Sequence, residues 1–322
     1  MTVAIVGAGA IGGLLAGHLV RSGQETIVIA RGPHLAAIQS RGLTIRDAEG
    51  EFTTHPEATD DMSVIRRADV VFVTLKAHSI TAIAPALGAA LDPRATVVAA
   101  VNGIPWWYFA DRPLQSVDPG GVINRSISRA QVIGCVVYPA ATIVEPGVIE
   151  HTEGNRISLG ERDGSTSERV QTISAMLARA GFKAPIQSRL RNEIWHKLLG
   201  NATLNPVSAL TRESLSRMLG DPAGRDLVRR LMEEVGEVAR SLDVDLPISI
   251  DKRIEAAAAV GEFKTSMLQD LEAGKPLEID ALLGAVIELA DDQSFAVPSL
   301  RTVYGLAKLL DESNRRPADP RS

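Results

Sequence analysis

The 322-residue sequence has little cysteine, few aromatic residues and no strong excess of either charge: one Cys, three Trp, three Tyr, six Phe and a net charge of -5. A single cysteine excludes an intrachain disulfide, and Cys135 within GCVVY is expected to be a buried strand residue. Mixed charges give no support for a nucleic-acid-binding surface. The segment MTVAIVGAGAIGG lacks the basic start of a signal peptide, and its glycines interrupt any membrane span, so we expect a cytoplasmic protein that does not contact membranes.

Patterns of metal and nucleophile sites are also missing. The spacing between the histidines is too irregular for a metal-ligand motif, and no G-x-S-x-G nucleophile elbow occurs. The histidines are His18, His34, His55, His78, His151 and His196. The sequence therefore predicts neither a metal site nor a serine hydrolase.

The first half alternates short β-branched runs with helical patterns, which predicts an α/β fold with a doubly wound, Rossmann-type parallel sheet. The predicted core strands are Val3 to Val6, Thr26 to Ala30, Val70 to Thr74 and Thr96 to Val101. An antiparallel extension is predicted at Val132 to Val137, Gly147 to Glu150 and Arg156 to Leu159, followed by a helix from Ser167 to Ala180. Amphipathic helices dominate the second half. We therefore expect a nucleotide-binding domain at 1–188, an all-helical substrate and catalytic domain at 189–322, a disordered tail from about 313, and a site in the cleft between the domains.

A glycine-rich segment directly follows the first predicted strand and begins a predicted helix. In this context the G-x-G-x-x-G pattern indicates a dinucleotide-binding loop, although glycine also serves simple turns. The first glycine allows the tight turn, the second lets the backbone approach the pyrophosphate, and the third lets the helix lie close to the sheet. The predicted cofactor-binding residues are Gly7, Ala8, Gly9, Ala10, Ile11 and Gly12.

The end of the second strand indicates which nicotinamide cofactor is used. NAD-selective sites place an Asp or Glu there for the ribose hydroxyl, whereas this strand leads into Arg31. A guanidinium suits the 2′-phosphate of NADPH, which a carboxylate would repel. Arg31 therefore predicts NADPH, with a solvated surface arginine as the alternative.

Three polar residues recur at intervals of four in RNEIWHKLLGNATLNPVSAL: Lys197, Asn201 and Asn205. On one helix they would share a face and suit a polar, anionic substrate. The alternative is a solvated stripe in which Glu193 and Lys197 form an i,i+4 pair. Apolar neighbours favour a buried helix, and Pro206 is expected to kink or end it just after Asn205.

Over nearly its whole length the chain resembles the ketopantoate reductase family. The matching segments are the N-terminal GAGAIG, Lys76 in TLKAHS, Asn102-Gly103 after the fourth core strand, the Lys197/Asn201/Asn205 helix, and TSMLQDLEAGKPLEID with Ser266 and Glu278. The resemblance implies NADPH-dependent reduction of 2-dehydropantoate (ketopantoate) to pantoate, a step toward pantothenate and coenzyme A. A homodimer is compatible with this family.

The resemblance also implies residue roles. Lys197 would be the general acid for the keto oxygen, and Asn102 would lie between nicotinamide and substrate. Asn201, Asn205 and Ser266 would bind the substrate's carboxylate or hydroxyl. Glu278 would lie near the cofactor ribose and the reacting centre, and Lys76 over the cofactor. A ketone that receives hydride gains charge on oxygen, which a positioned ammonium can stabilise and protonate.

Two departures from the family pattern leave the substrate open. Leu215 stands where well-studied members have another substrate-contacting asparagine, and the aromatic run Trp106 to Phe109 follows the Asn102 motif. Such a run serves either core packing or an altered pocket. The alternatives are a reductase for another branched or aromatic 2-keto acid, a 3-hydroxyacid dehydrogenase, against which the SMLQD and LEID segment argues, and a non-catalytic NADPH-binding protein.

Overall fold

The computed structural model describes residues 1–109 and 111–316, which fall into two compact units. The first contains Met1–Pro113 and Asp118–Glu193, and the second contains Leu114–Val117 and the chain from Ile194 onward. The boundary lies five residues beyond the Ser188 expected from the sequence, because it falls inside a helix that begins at Leu190.

The first unit is an α/β unit with eleven strands among the described residues. The strands are β1 Val3–Val6, β2 Thr26–Ile29, β3 Leu43–Asp47, β4 Gly50–Thr54, β5 Glu57–Thr59, β6 Val70–Val73, β7 Thr96–Ala99, β8 Val132–Val137, β9 Ala140–Glu145, β10 Val148–Glu153 and β11 Ile157–Gly160. Seven form the main sheet in the order β11-β8-β7-β6-β1-β2-β5. All of its pairs are parallel except that of β11 with β8. The predicted Rossmann-type sheet is confirmed.

Four of the five α-helices of this unit lie between strands of the sheets, and the fifth follows β11. They are α1 Ala10–Arg21, α2 Gly32–Arg41, α3 Ala77–Ala90, α4 Val122–Ser126 and α5 Glu168–Arg179. Ser167 caps α5 by accepting from the Val170 N–H, and Gly181 with φ +94° follows its end. These residue types at these positions are typical of a helix start and stop.

One part of the predicted antiparallel extension is wrong. The run at residues 147–150 belongs to a separate four-stranded sheet of order β4-β3-β10-β9, in which β10 pairs parallel with β3 and antiparallel with β9. The sequence did not predict β3, β4 or β9, which carry many polar and exposed residues. Strands without an apolar run give a weak sequence signal.

Helix α1 is packed against this second sheet as well as against the main one. Two glycines one turn apart make the contact close: a Cβ on Gly13 would lie 2.9 Å from the side chain of Ile149, and one on Gly17 would lie 2.5 Å from that of Ile45. Both distances are shorter than carbon atoms tolerate without rearrangement. The two glycines therefore set how near α1 lies to β3 and β10.

The second unit is helical, as predicted. Its helices are α6 Leu190–Asn201, which begins in the first unit, α7 Leu204–Thr211, α8 Leu215–Gly220, α9 Pro222–Ser241, α10 Ile250–Ala259, α11 Ser266–Glu272, α12 Ala285–Asp292 and α13 Pro298–Asn314. The segment Leu114–Val117 joins this unit through Glu288 on α12. The Glu288 carboxylate accepts from the backbone N–H of Gln115 and from both the N–H and the hydroxyl of Ser116.

The C-terminal helix continues slightly beyond the tail boundary predicted at about 313. Helix α13 reaches Asn314, whose side chain donates to the carbonyl of Leu271, and Arg315 pairs with Asp311 one turn earlier. These contacts hold the last turn, and the rest of the predicted tail, residues 317–322, lies outside the described residues. No helix in the described ranges combines the length and apolar character needed to cross a membrane.

Candidate active site

The glycine-rich loop joins β1 to α1, and two of its three glycines are required by contacts within the protein. Gly7 has φ +104°, and a Cβ there would lie 2.6 Å from the Leu75 side chain. A Cβ on Gly12 would lie 2.0 Å from the Gly7 carbonyl oxygen. At the exposed Gly9 an added Cβ would meet nothing within 4 Å. The loop is therefore closely packed behind Gly7 and Gly12 and open at Gly9, which fits the approach of a pyrophosphate.

The start of α1 also offers hydrogen-bond donors to an anion. Across the described residues, the backbone N–H groups of Gly9, Ala10 and Ile11 have no acceptor, and no side chain caps the helix. Unpaired N–H groups and the positive end of the helix dipole favour a bound phosphate. The residues present thus fit the phosphates of a pyridine dinucleotide.

Thr74 holds the glycine loop in place, which the sequence analysis did not predict. Its hydroxyl lies 2.6 Å from the Gly7 carbonyl oxygen and donates to it, directly after β6 ends at Val73. The only sign of this role in the sequence is that a polar residue directly follows an entirely apolar strand.

The remaining predicted cofactor residues of this unit follow neighbouring parallel strands. Arg31 comes shortly after β2, Lys76 shortly after β6 and Asn102 shortly after β7, all near the loop that follows β1. The carboxyl ends of parallel strands lie along one edge of the sheet, and the order reverses beside β1. The fold therefore brings the glycine loop, Arg31, Lys76 and Asn102 to the edge where doubly wound sheets bind ligands.

Arg31 is exposed and immediately precedes α2. Within the described residues its guanidinium makes no hydrogen bond and no ion pair. Lys76, at the start of α3, and Asn102 are both half-buried. A guanidinium without a protein carboxylate can pair with a phosphate without first breaking another ion pair.

In the second unit the predicted polar stripe is divided between two helices. Helix α6 ends at Asn201, and Asn205 lies in the first turn of α7. The predicted single helix reaching Asn205 is therefore wrong. Pro206 has no N–H and its ring would clash with the carbonyl four residues earlier, so the helix breaks before the proline. At this break the Thr203 hydroxyl donates to the Leu199 carbonyl at 2.7 Å, so that carbonyl has a hydrogen-bond partner.

Two predicted substrate residues from separate motifs meet in this unit. The Asn205 side-chain nitrogen lies 3.4 Å from the Ser266 oxygen, a contact between residues 61 positions apart in the sequence. Asn205 is only 8% exposed, whereas Ser266 is exposed at the start of α11. The pair thus links a buried amide to an accessible hydroxyl.

Glu278 is a buried carboxylate, 8% exposed, just before an irregular helix. A π-helical turn, Asp280–Gly284, follows it, and such turns are frequent at functional sites. Asp280 accepts from the Tyr304 hydroxyl at 2.8 Å and pairs with Lys308. Burial, together with this hydrogen bond to Asp280, raises the pKa of Tyr304 to about 12, so its hydroxyl remains a donor at neutral pH.

Arg253 on α10 is a second residue that the sequence analysis missed. A Cβ on Gly200 would lie 2.5 Å from its Nη2, so the guanidinium lies directly on the backbone of α6. Gly200 is three residues after Lys197, and residues so spaced are neighbours on a helix surface. The glycine at 200, which leaves room for a side chain, was the only signal in the sequence.

Glu193, which the alternative interpretation of the polar stripe pairs with Lys197, also contacts two other side chains. Both Glu193 carboxylate oxygens are engaged within the first unit, one with Arg156 and the other with the Tyr138 hydroxyl at 2.6 Å. Glu193 therefore has two partners in the first unit, whatever contact it makes with Lys197.

The aromatic run beside Asn102 forms part of the core of the first unit. Trp106 is 3% and Trp107 1% exposed, and Trp107 stacks with Tyr108. A Cβ on Gly134 in β8 would lie 2.5 Å from the Trp107 ring, so the indole covers the strand. These contacts favour core packing over an altered pocket.

Comparisons with known proteins agree with this arrangement. The family "Ketopantoate reductase PanE/ApbA" matches residues 3–164, and "Ketopantoate reductase PanE/ApbA C terminal" matches residues 189–311. A 2-dehydropantoate 2-reductase of Mesorhizobium japonicum is 43% identical over 96% of this chain and 98% of that protein. One of Halobacterium salinarum is 29% identical over 96% and 98%.

Solved structures give the same result. The crystal structure of a PanE/ApbA family ketopantoate reductase from Ralstonia eutropha JMP134 superimposes with a TM-score of 0.87 at 29% identity, covering 98% of this chain and 100% of that one. With the family matched over most of the sequence and a relative 43% identical along nearly its whole length, the chain belongs to the ketopantoate reductase family.

Proposed function

We propose that this chain reduces 2-dehydropantoate to pantoate with NADPH, the reaction for which its curated relatives are named. The observation that carries the proposal is the contact between Asn205 and Ser266. The sequence motifs assign both residues to the same substrate, and the fold places their side chains within hydrogen-bonding distance. A protein that only binds the cofactor has no need of such a pair.

The cofactor residues are those of the first unit. The loop from Gly7 to Gly12 holds the pyrophosphate with its free N–H groups, Arg31 pairs with the 2′-phosphate, and Lys76 and Asn102 lie farther along the same sheet edge. When bound, the nicotinamide supplies a hydride. Because this chemistry belongs to the cofactor, the protein has only to position the reactants and stabilise charge.

The second unit supplies the groups for the keto acid. Lys197 donates a proton to the keto oxygen, which takes up the electron pair of the carbonyl bond as the carbon is reduced. Asn201 and the Asn205–Ser266 pair bind the carboxylate or hydroxyl of the substrate. For Glu278 the proposed role is to orient hydroxyl groups of the ribose or the substrate, since a buried carboxylate accepts hydrogen bonds from hydroxyl groups.

A panel of 2-keto acids tests this function. Purified protein is assayed by NADPH oxidation with 2-dehydropantoate, other branched 2-keto acids and aromatic ones. We expect kcat/KM for 2-dehydropantoate to exceed that of every other acid by about tenfold or more, since a site built around a substrate hydroxyl rejects analogues that lack it. A higher kcat/KM for another acid would identify that acid as the substrate. If none of the acids were turned over, the protein would be a non-catalytic cofactor-binding protein.

Another branched or aromatic keto acid is the second candidate, because of Leu215. Its side chain is buried at the start of α8, and its N–H donates to the Phe263 carbonyl. Leucine here offers packing and no hydrogen bond to a substrate, unlike the asparagine expected from the family pattern. The same panel distinguishes the two candidates.

Arg31→Ala should weaken NADPH binding by about ten- to a hundredfold and leave NADH binding almost unchanged. The physical reason is the loss of a charge-assisted contact, worth about 1.5 to 3 kcal/mol, that only the 2′-phosphate makes. Fluorescence titration with both cofactors measures the effect. The exposed Arg66 provides the control, since Arg66→Ala removes the same charge elsewhere on this unit. Equal weakening of both cofactors would remove Arg31 from the phosphate site.

Arg253→Ala should raise KM for the keto acid by about tenfold and change kcat less. The guanidinium lies against Gly200, three residues after Lys197 on α6, and there it adds a second positive charge for the substrate carboxylate, in place of the missing asparagine. Steady-state kinetics at saturating NADPH measures this. Lys252→Ala removes the neighbouring exposed cation on α10 as a control. An unchanged KM in the folded Arg253→Ala variant would contradict the role.

Two further properties belong to the proposal. The protein acts in the cytoplasm on a small-molecule substrate, and it assembles as a homodimer. Light scattering coupled to size-exclusion chromatography measures the assembly directly. A mass of one chain across the assay concentrations would exclude the dimer, while the reductase assay would be unaffected.

A further inference from the structure

Three side chains of metal-binding types, two histidines and one aspartate, meet in the first unit, away from the glycine loop. His18 lies near the end of α1, Asp47 ends β3 and His151 lies on β10. One ligand atom of each lies within 4.8 Å of the other two, and all three residues are half-buried. None of them has a role in the proposed reaction. Their positions in the sequence gave no metal motif because three separate elements bring them together.

His18 has one nitrogen beside the backbone and one available. The Ala180 backbone lies near its imidazole, and Nδ1 lies 3.9 Å from the position of a Cβ on the adjacent Gly181. Nε2 is buried and has no hydrogen-bond partner among the described residues. The rings of Phe52 and Phe182 pack edge-on against the imidazole and hold its orientation. A buried polar nitrogen without a partner is costly unless something else binds it.

The other two side chains are oriented in the same manner. His151 Nε2 pairs with the Gly154 carbonyl, which leaves Nδ1 available. Asp47 Oδ1 accepts from the N–H groups of Glu49 and Gly50, at 2.8 and 3.1 Å, which leaves Oδ2 available. Backbone groups thus orient His151 and Asp47, and each keeps one ligand atom available. Metal-binding histidines and carboxylates commonly have such second contacts, which set the tautomer and the orientation.

We propose that His18 Nε2, His151 Nδ1 and Asp47 Oδ2 bind one Zn²⁺ ion in the first unit. Two imidazoles and a carboxylate are ligand types that zinc prefers. Zinc bonds of about 2.0 to 2.1 Å place neighbouring ligands about 3.4 Å apart, so the ligand atoms, now within 4.8 Å of one another, must draw closer by up to about 1.4 Å. Their partial exposure leaves a fourth position for water.

One carboxylate and one guanidinium contribute charge near the three side chains. Asp47 contributes negative charge, and Arg21, whose guanidinium lies over the Phe52 ring, contributes positive charge. Because these two charges offset each other, the affinity for an ion depends on the ligand atoms themselves.

Such an ion would join α1 to the second sheet at the end opposite to the glycine loop. Gly13 and Gly17 already bring the helix close to β10 and β3, and His18 follows Gly17 directly. The ion would cross-link three elements that otherwise make apolar contacts here. It would therefore stabilise the folded unit and leave cofactor chemistry unchanged.

The test measures zinc binding on full-length protein from which any purification tag has been cleaved. After chelator treatment and dialysis, ZnCl₂ is titrated against a competing chromophoric chelator, with and without NADPH. We expect one saturable ion per chain, a rise in melting temperature with zinc, and at least tenfold weaker binding in His151→Ala and Asp47→Asn. Asp47→Asn keeps an acceptor for the two N–H groups, so a loss of zinc there is not a loss of the turn.

His55→Ala is the matched control, because His55 is an exposed histidine on the same unit. It should bind zinc as the wild type does, and Co²⁺ in the wild type should give visible absorption that both site variants lose. Zinc uptake equal in the wild type and in His151→Ala would overturn the proposal, as would uptake that only His55→Ala abolishes. NADPH affinity and reductase rate are measured separately, so failure of the zinc site does not bear on the reductase.

Discussion

Lys197→Ala should lower kcat by about 10²- to 10⁴-fold, the usual contribution of a positioned proton donor. The ammonium is the group on α6 that can protonate the keto oxygen, and the half-buried side chain has a fixed helical position. NADPH affinity should be nearly unchanged because the glycine loop belongs to the first unit. Steady-state kinetics and NADPH fluorescence titration of the folded variant measure the two effects.

Lys197→Arg separates proton donation from charge. Arginine keeps the positive charge that attracts the keto acid but does not release a proton at working pH, so kcat should remain low while KM recovers. Lys252→Ala, on an exposed part of α10, should behave as the wild type. A Lys197→Ala enzyme with near wild-type turnover would exclude this lysine as the acid.

Trp107→Ala should destabilise the protein by about 3 to 5 kcal/mol, as truncation of a large buried aromatic does. The indole is 1% exposed, stacks with Tyr108 and covers Gly134 in β8. Loss of this ring leaves a cavity that the strand cannot fill. Chemical denaturation measures the change, and the ranking of 2-keto acids should stay as in the wild type.

Phe109→Ala is the matched comparison within the same aromatic run. Phe109 is half-buried, with its ring edge against Tyr108 and the Arg112 guanidinium 5.2 Å from its centroid. Its truncation should cost about 1 kcal/mol or less, since much of its surface is already in water. A reordered substrate ranking in Trp107→Ala, with stability unchanged, would instead place the indole at the substrate.

The sequence predicted the fold where its signal is local. Buried strands such as β1 and β6 are continuous apolar runs, and α5 has both a capping serine and a terminal glycine. The second sheet was missed because β3, β4 and β9 have polar exposed faces, and the pairing of β3 with β10 joins distant segments. The alternation of residues along the sequence can indicate a strand. Which strands pair with each other depends on how the whole chain folds.

The sequence motifs identified individual site residues, but they did not predict all of the contacts between them. Arg31, Lys76 and Asn102 were each identified from the sequence, but that they follow neighbouring parallel strands at one edge is known from the strand order of the sheet. The contact of Asn205 with Ser266 and the approach of Arg253 to Gly200 could not be predicted, because they depend on helix packing. Pro206 was recognised as a helix breaker, but the break lies before Asn205.

The Glu288 contacts limit how the chain can be divided in a dissection experiment. The helical unit takes Leu114–Val117 from the middle of the first half of the sequence, and the Glu288 carboxylate depends on three donors in that stretch. A recombinant fragment that starts at Ile194 would leave this carboxylate without those donors. Separate production of the helical unit therefore requires a grafted copy of the four-residue segment, and a single cut cannot yield two complete halves.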